Sequence, residues 1–331
     1  MKKKLRKKPY KKGLRADATV ANIREEENTN RKTPHNTRPF HARWRMIQLK
    51  GNLKTVLADK LEPKQLKQIY KTFDIVGDIA IIRVPEPLQH HSRLVAEAIM
   101  NTHREVKSVW RQSSSVQGDY RLRSLEYILG EKTTETLYKE HGCVYKTDLR
   151  QAYFSPRLSY ERLRIAELTQ KGEIVLNMFA GVGCYSISIA KHSEPLKVYS
   201  VDVNPCAFQY LQENIRLNRV EKIVVPIQGD AKKVTENELQ NVADRVLMPL
   251  PERAYEYLDY AHLGLKPTGG WIHYYDFEYA KKNEDPVEKA EEKVSEKMRR
   301  ICSDFQVEFG RIVRPIGPRW YQVVLDIHVK N

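Results

Sequence analysis

Chemistry in this 331-residue chain is concentrated in three short segments, each an apolar run that ends in glycine or a carboxylate. The first, EIVLNMFAGVGCYSISIAKHS, reads as a buried strand ending in Phe179, Ala180, Gly181, Val182 and Gly183, followed by a helix. Glycines at such a turn let the backbone approach a ligand without a Cβ clash, and the helix start offers unpaired N–H groups. The second, KVYSVDVNPCAFQYLQENIRLN, reads as a strand terminating in Asp202, then Asn204-Pro205 and an amphipathic helix. An acid at that strand end can accept hydrogen bonds from both hydroxyls of a ribose, or simply cap the helix that follows. The third, KIVVPIQGDAKKV, ends in Gly229-Asp230, where a carboxylate can receive the exocyclic amine of an adenine.

A single GxG is a weak signal, and this one lacks the third glycine of the dinucleotide fingerprint. Three consecutive strand ends carrying GxG, Asp and Asp in that order are far more specific. They predict a site for S-adenosyl-L-methionine and not for a nicotinamide, with Phe179, Ala180, Gly181, Gly183, Asp202, Asn204 and Asp230 as cofactor-binding residues.

These strand ends need a parallel sheet to bring them together. After Ser159 the rhythm of helix, strand, glycine turn, helix, strand, helix is that of a doubly wound α/β fold, placed at residues 157–331. Ahead of it, residues 43–156 read as a smaller α+β domain, with β-branched strand sequence in FDIVGDIAIIRV and a helix near Ser92–Thr102. Residues 1–42 form a basic arm that opens with Lys2, Lys3, Lys4, Arg6, Lys7, Lys8, Lys11 and Lys12; too polar to bury a core, it is expected to be disordered when free.

A formal charge of +15 and a sequence pI of about 9.5 favour a polyanionic partner, nucleic acid foremost. Cys143, Cys184, Cys206 and Cys302 lie far apart with no CxxC or Cys/His ligand spacing, so no metal site and no disulfide framework is expected. No apolar run approaches the roughly 20 residues that span a bilayer. The N-terminus also lacks the apolar core of a secretory signal, and the expectation is a cytoplasmic protein, monomeric and without a membrane partner.

Beyond the cofactor segments, FDIVGDIAI, GDYRLRSLEYILGE, KEHGCVYKTDLRQAYFSPRLSYERLRIA, ADRVLMPLPERAYEYLDYA and GGWIHYYDF are informative together. Over about residues 50–331 the chain resembles the archaeal and eukaryotic tRNA (guanine-N1)-methyltransferases acting at position 37. The resemblance implies a class I methyltransferase, a Rossmann-like doubly wound sheet with a smaller N-terminal α+β domain, and tRNA as partner. It also implies transfer of the methyl group of S-adenosyl-L-methionine to N1 of guanosine 37. It places the proposed base of the SPR-x-x-x-E segment on Glu161 and the arginine that assists at the guanine on Arg121. A carboxylate can take the N1 proton, and a guanidinium can stabilise the charge that builds towards O6. Read without the resemblance, Glu161 is an acid in the first turn of a helix, and Arg121 and Arg123 are phosphate contacts. Arg123, Arg157, Tyr153, Pro249 and Pro251 complete the expected substrate-binding set, Arg157 on a phosphate and Tyr153 stacked on the base.

Three departures qualify the match. The family's Asn-Leu-Pro reads Pro249-Leu250-Pro251 here, and proline offers neither hydrogen bond of an asparagine side chain. Gly-Cys-Tyr (Gly183–Tyr185) stands for Gly-Pro-Phe, and the small domain that grips the tRNA elbow in some members has no counterpart, only the basic arm. A wybutosine-pathway aminocarboxypropyltransferase, a bifunctional guanosine and wyosine-intermediate methyltransferase, and a non-catalytic RNA-binding protein therefore stand as alternatives.

Overall fold

A computed structural model of the chain describes residues 53–114, 118 and 120–330, so the basic arm lies outside the described residues. The first layer is a small α/β unit. Helices α1 (Leu53–Leu57) and α2 (Pro63–Gln68) precede strands β1 (Asp74–Val76) and β2 (Ile79–Ile82), then α3 (Ser92–Thr102), β3 (Ser108–Gln112) and β4 (Leu125–Gly130). The β-branched run FDIVGDIAIIRV holds two antiparallel strands, because Gly77 takes a left-handed φ of 59° and turns the chain. The sheet order is β1-β2-β3-β4, with β2 and β3 parallel across α3.

A hairpin of β5 (Glu135–Glu140) and β6 (Cys143–Asp148) follows, then α4 (Ser159–Leu168), β7 (Ile174–Asn177), α5 (Cys184–His192), β8 (Lys197–Asp202), α6 (Pro205–Asn218) and β9 (Val224–Gln228). The chain continues through α7 (Ala231–Glu238), β10 (Arg245–Met248), α8 (Leu258–Gly264), β11 (Gly269–Tyr279), α9 (Pro286–Ile301), β12 (Phe305–Gly317) and β13 (Trp320–Lys330). The large sheet runs β12-β13-β11-β10-β7-β8-β9; β11, β10, β7, β8 and β9 are parallel, and β12 and β13 close one edge antiparallel.

Both faces of this sheet are covered, as its near-continuous apolar strands require. Val175, Val198, Leu247, Tyr275 and Val324 pack with α4, α5 and α6, while Leu176, Val201, Val246, Tyr274 and Val323 pack with α7, α8 and α9. The doubly wound class I fold expected from the sequence is therefore present. Helices α6 and α7 start on capping side chains, Asn204 and Asp230, each accepting from a backbone N–H of its first turn.

The hairpin is fastened to α6 by two asparagines. Asn218 accepts from Val144 N–H at 2.9 Å and donates to Val144 O at 2.6 Å, and Asn214 does the same with Lys146 at 2.6 and 2.9 Å. Each thus mimics a neighbouring strand and satisfies the β6 edge without one. Among the described residues no helix is long and apolar enough to cross a membrane.

Candidate active site

The carboxyl ends of β7, β8, β9 and β10 open into one cleft of about 220 Å³, walled by Met178, Phe179, Gly181, Asp202, Asp230 and Pro249 among others. Ligands of open α/β sheets bind at this end because the βα loops diverge there. Asp202 organises the floor. Its Oδ2 accepts Gly181 N–H at 2.6 Å and its Oδ1 accepts Asn204 N–H at 2.9 Å, which fastens the glycine loop to the neighbouring strand end. Burial raises the Asp202 carboxyl above its ordinary value, against the lowering effect of those two backbone donors. Each oxygen keeps a lone pair for a ribose hydroxyl.

Gly181 sits at φ 56°, and a Cβ there would enter open space. Asp230 lines the same cleft, yet Oδ1 caps α7 through Lys232 N–H at 2.9 Å and Oδ2 accepts the Tyr257 hydroxyl at 3.2 Å. Asp230 is thus a helix cap and a lining residue of the cleft at once. Burial, then Asp230, pushes the Tyr257 phenol up to about 12, so it stays a donor. Its ring meets Phe179 edge-on at 4.9 Å. Asn204 also lines the cleft while capping α6 and donating Nδ2 to Gln151 O at 2.8 Å. Ala180 and Gly183 stand behind the wall: Ala180 is buried, and a Cβ on Gly183 would lie 2.6 Å from Leu211 Cδ1, so that glycine serves close packing.

The small α/β unit contributes Tyr120 and Arg121 to the opposite wall. Arg121 has a left-handed backbone with φ 54°, unusual without glycine, and its N–H returns to Gly118 O at 3.0 Å. The guanidinium lies 4.0 Å over the Tyr153 ring and pairs with Glu252 at 3.2 Å. Its Nε is buried and finds no hydrogen-bond partner among the described residues. Burial would raise the Tyr153 phenol, and the charges of Arg121, Arg314 and Arg123 more than offset it, leaving it below the usual phenol value.

Of the other expected substrate residues, Arg123, Arg157 and Pro251 do not reach the cleft. Arg123 donates to Phe154 O at 2.7 Å; burial lowers its guanidinium, Asp74 and Tyr153 oppose that, and Arg83 and Arg157 add to it. Arg157 is half-exposed and pairs with Asp74 at 2.7 Å, a placement open to a phosphate but outside the pocket. Pro249 lines the cleft and Pro251 is buried behind it.

Glu161 stands apart from the cleft wall and is 1% exposed. Its carboxylate accepts from Arg164 at 2.7 Å, from the Tyr275 hydroxyl at 2.8 Å and from Arg311. Arg164 continues to Asp326 at 2.6 Å, which holds buried His273 at 2.6 Å. A carboxylate balanced by two guanidiniums and a phenol is committed to holding α4 against β11 and β12 in this arrangement. The sequence also passed over Val203, Leu250, Arg253 and Tyr257, which line the cleft. Val203 had a signal, since it directly follows Asp202; Tyr257 had none.

The profile described as the TRM5/TYW2 methyltransferase domain matches residues 136–309, and that of the TYW2 N-terminal domain matches residues 53–133. The chain belongs to the TRM5/TYW2 methyltransferase family. It is 41% identical over 268 residues to Pyrococcus abyssi tRNA (guanine(37)-N(1))-methyltransferase Trm5b, covering 81% of this chain and 78% of that protein. The crystal structure of that enzyme is similar with a TM-score of 0.73 at 40% identity, over 82% of this chain and 79% of the other. Saccharolobus solfataricus tRNA 4-demethylwyosine(37)-methyltransferase Taw21 is likewise 41% identical, over 82% of this chain and 98% of that protein. Methanocaldococcus jannaschii TYW2, solved in complex with AdoMet, has a TM-score of 0.57 at 28% identity, over 78% of this chain and 100% of the other.

Proposed function

We propose that this chain is a tRNA methyltransferase that transfers the methyl group of S-adenosyl-L-methionine to N1 of guanosine 37. The observation that carries the reading is one cleft with two unlike walls: strand ends bearing Gly181 and Asp202 on one side, Arg121 with an orphaned Nε on the other. The donor set fits the cofactor. Asp202 keeps an acceptor for each ribose hydroxyl, Gly181 leaves its Cβ space open, and Val203 and Phe179 offer apolar surface to an adenine. When bound, the cofactor supplies an electrophilic methyl on a sulfonium.

The protein has three tasks. Tyr153, held beneath Arg121, offers an aromatic surface to a base extruded from the anticodon loop. Arg121 donates to O6, where negative charge builds as N1 attacks; a preorganised donor there is worth most in the transition state. The N1 proton must pass to a base, for which the family resemblance puts forward Glu161, paired here with Arg164 and Arg311.

A second reading is methylation of 4-demethylwyosine at position 37. What favours it is the relative Taw21, matched over 98% of its length at the same identity as Trm5b, together with Pro249 where the family commonly has asparagine. Mass spectrometry of nucleosides separates the readings. Purified enzyme with labelled cofactor is given one tRNA carrying guanosine 37 and another carrying 4-demethylwyosine 37. A 1-methylguanosine product is expected; an aminocarboxypropyl adduct, or methylation of the tricyclic base alone, overturns the proposal.

A further inference from the structure

Pro249 lines the pocket and can neither donate nor accept a hydrogen bond from its side chain, so recognition of a base edge there falls to its neighbours. Guanine's Watson–Crick edge presents one acceptor, O6, beside two donors, N1–H and N2–H2. A protein surface that reads it needs one donor next to two acceptors, and a guanidinium beside a carboxylate has that pattern.

Among the acids near the cleft, two are otherwise engaged. Asp202 is bound by Gly181 and Asn204 and faces the cofactor side, and Asp230 is held by α7 and Tyr257. Glu161 is outside the wall and paired. Glu256 is paired with Arg253 at 3.5 Å. The carboxylate paired with the wall residue Arg121 is Glu252, which stands just outside the wall, one residue past Pro251, on the turn that closes with Arg253 N–H to Leu250 O at 3.1 Å. Its side chain is 40% exposed, and Arg121 at 3.2 Å is its partner among the described residues. An ion pair so open to solvent contributes little by itself and is readily exchanged for contacts to a base. Its buried member, Arg121, carries the orphaned Nε.

We infer that Glu252 is a specificity-determining residue: with Arg121 donating to O6, its carboxylate accepts from the 2-amine of the target guanine and leaves N1 clear to lose its proton and take the methyl group. The inference rests on the guanosine-37 reading and adds the residue that distinguishes guanine from purines lacking the 2-amine.

The test compares kcat/KM for two transcripts that differ only at position 37, guanosine against inosine, which keeps O6 and N1–H but has no 2-amine. Wild-type enzyme is expected to prefer guanosine by roughly 10- to 100-fold, the worth of one hydrogen bond to a charged acceptor. In Glu252→Ala the ratio collapses towards one, and Glu252→Asp recovers part of it; calorimetric cofactor affinity confirms that each variant is folded. A wild-type enzyme without preference between the two bases overturns the inference. So does a Glu252→Ala enzyme that slows equally on both, because that pattern assigns Glu252 only to holding Arg121. A wild-type enzyme that methylates neither transcript overturns the guanosine-37 reading itself and the inference with it.

Discussion

Glu161→Gln separates two roles that the sequence and the structure assign to one residue. In the structure the carboxylate is 1% exposed and balances Arg164 and Arg311 while accepting the Tyr275 hydroxyl. Removing one member of a buried ion pair costs about 3–5 kcal/mol because a charge is left uncompensated. Here the lower end applies, because Arg164 keeps Asp326 at 2.6 Å and Arg311 is 25% exposed. A loss of about 3 kcal/mol corresponds to a fall in Tm of roughly 6–12 °C for a domain of this size. Thermal unfolding by circular dichroism reads that number, and single-turnover methyl transfer at several pH values on the same preparation reads the other role. If the residue is an anchor, the variant melts early and its rate defect persists at high pH. Suppose instead that the Tm is unchanged, the rate falls by about 10²–10⁴-fold and it recovers as guanine N1 ionises without help. Then Glu161 is the base and the ion-pair reasoning is refuted.

Asp202→Ala removes acceptors for two ribose hydroxyls, so the cofactor Kd should rise by roughly 10²- to 10⁴-fold in calorimetry with tRNA affinity unchanged; a Kd near wild type rejects the ribose role. Because burial raises the Asp202 carboxyl above 3.8, cofactor affinity should be full above that raised value and begin to fall, on acidification, at a higher pH than for an ordinary aspartate. Stability has the opposite sign: the folded chain binds this proton more tightly than the unfolded one, so Asp202 adds a penalty that appears as pH rises from 3.8 through its folded value, and Asp202→Asn should abolish that component of the pH–Tm curve. Gly181→Ala should cost about 1–2 kcal/mol for a left-handed backbone and weaken the cofactor through a methyl in open pocket space, whereas Gly183→Ala, whose Cβ would meet Leu211 at 2.6 Å, should mainly lower Tm; equal effects of the two on calorimetric affinity would contradict this division. Deleting residues 2–12, outside the described residues, should weaken tRNA binding and flatten its salt dependence by about 0.9 for each phosphate no longer neutralised; an unchanged slope makes the arm a solubilising tail.

The N-terminal unit shows how local pattern and tertiary context share the work. Helix α3 at Ser92–Thr102 was legible from periodicity alone, because its buried face repeats at helical spacing in Val95, Ala96 and Ile99. The hairpin was legible as strands, from the alternation in CVYKTDL, but not in its attachment. Asn214 and Asn218 look like ordinary polar helix positions in sequence, and only the approach of β6, 68 and 74 residues away, makes them edge-strand mimics.

The sequence by itself determined one wall of the cleft. Gly181, Asp202 and Asp230 follow three consecutive strands, and a parallel doubly wound sheet must bring consecutive strand ends to one side, so their order in the chain is already their order in space. The tertiary structure alone decided what stands opposite. Glu161 meets Tyr275 across 114 residues because β11 joins the sheet beneath α4, and Arg311 across 150 because β12 and β13 fold back as an antiparallel edge, which no local spacing announces. Arg121 meets Glu252 because the small unit places its turn over the loop after β10. A charged side chain takes its role from whichever opposite charge the fold brings within about 4 Å, and that partner is a property of the packing of distant elements and not of the sequence around the residue.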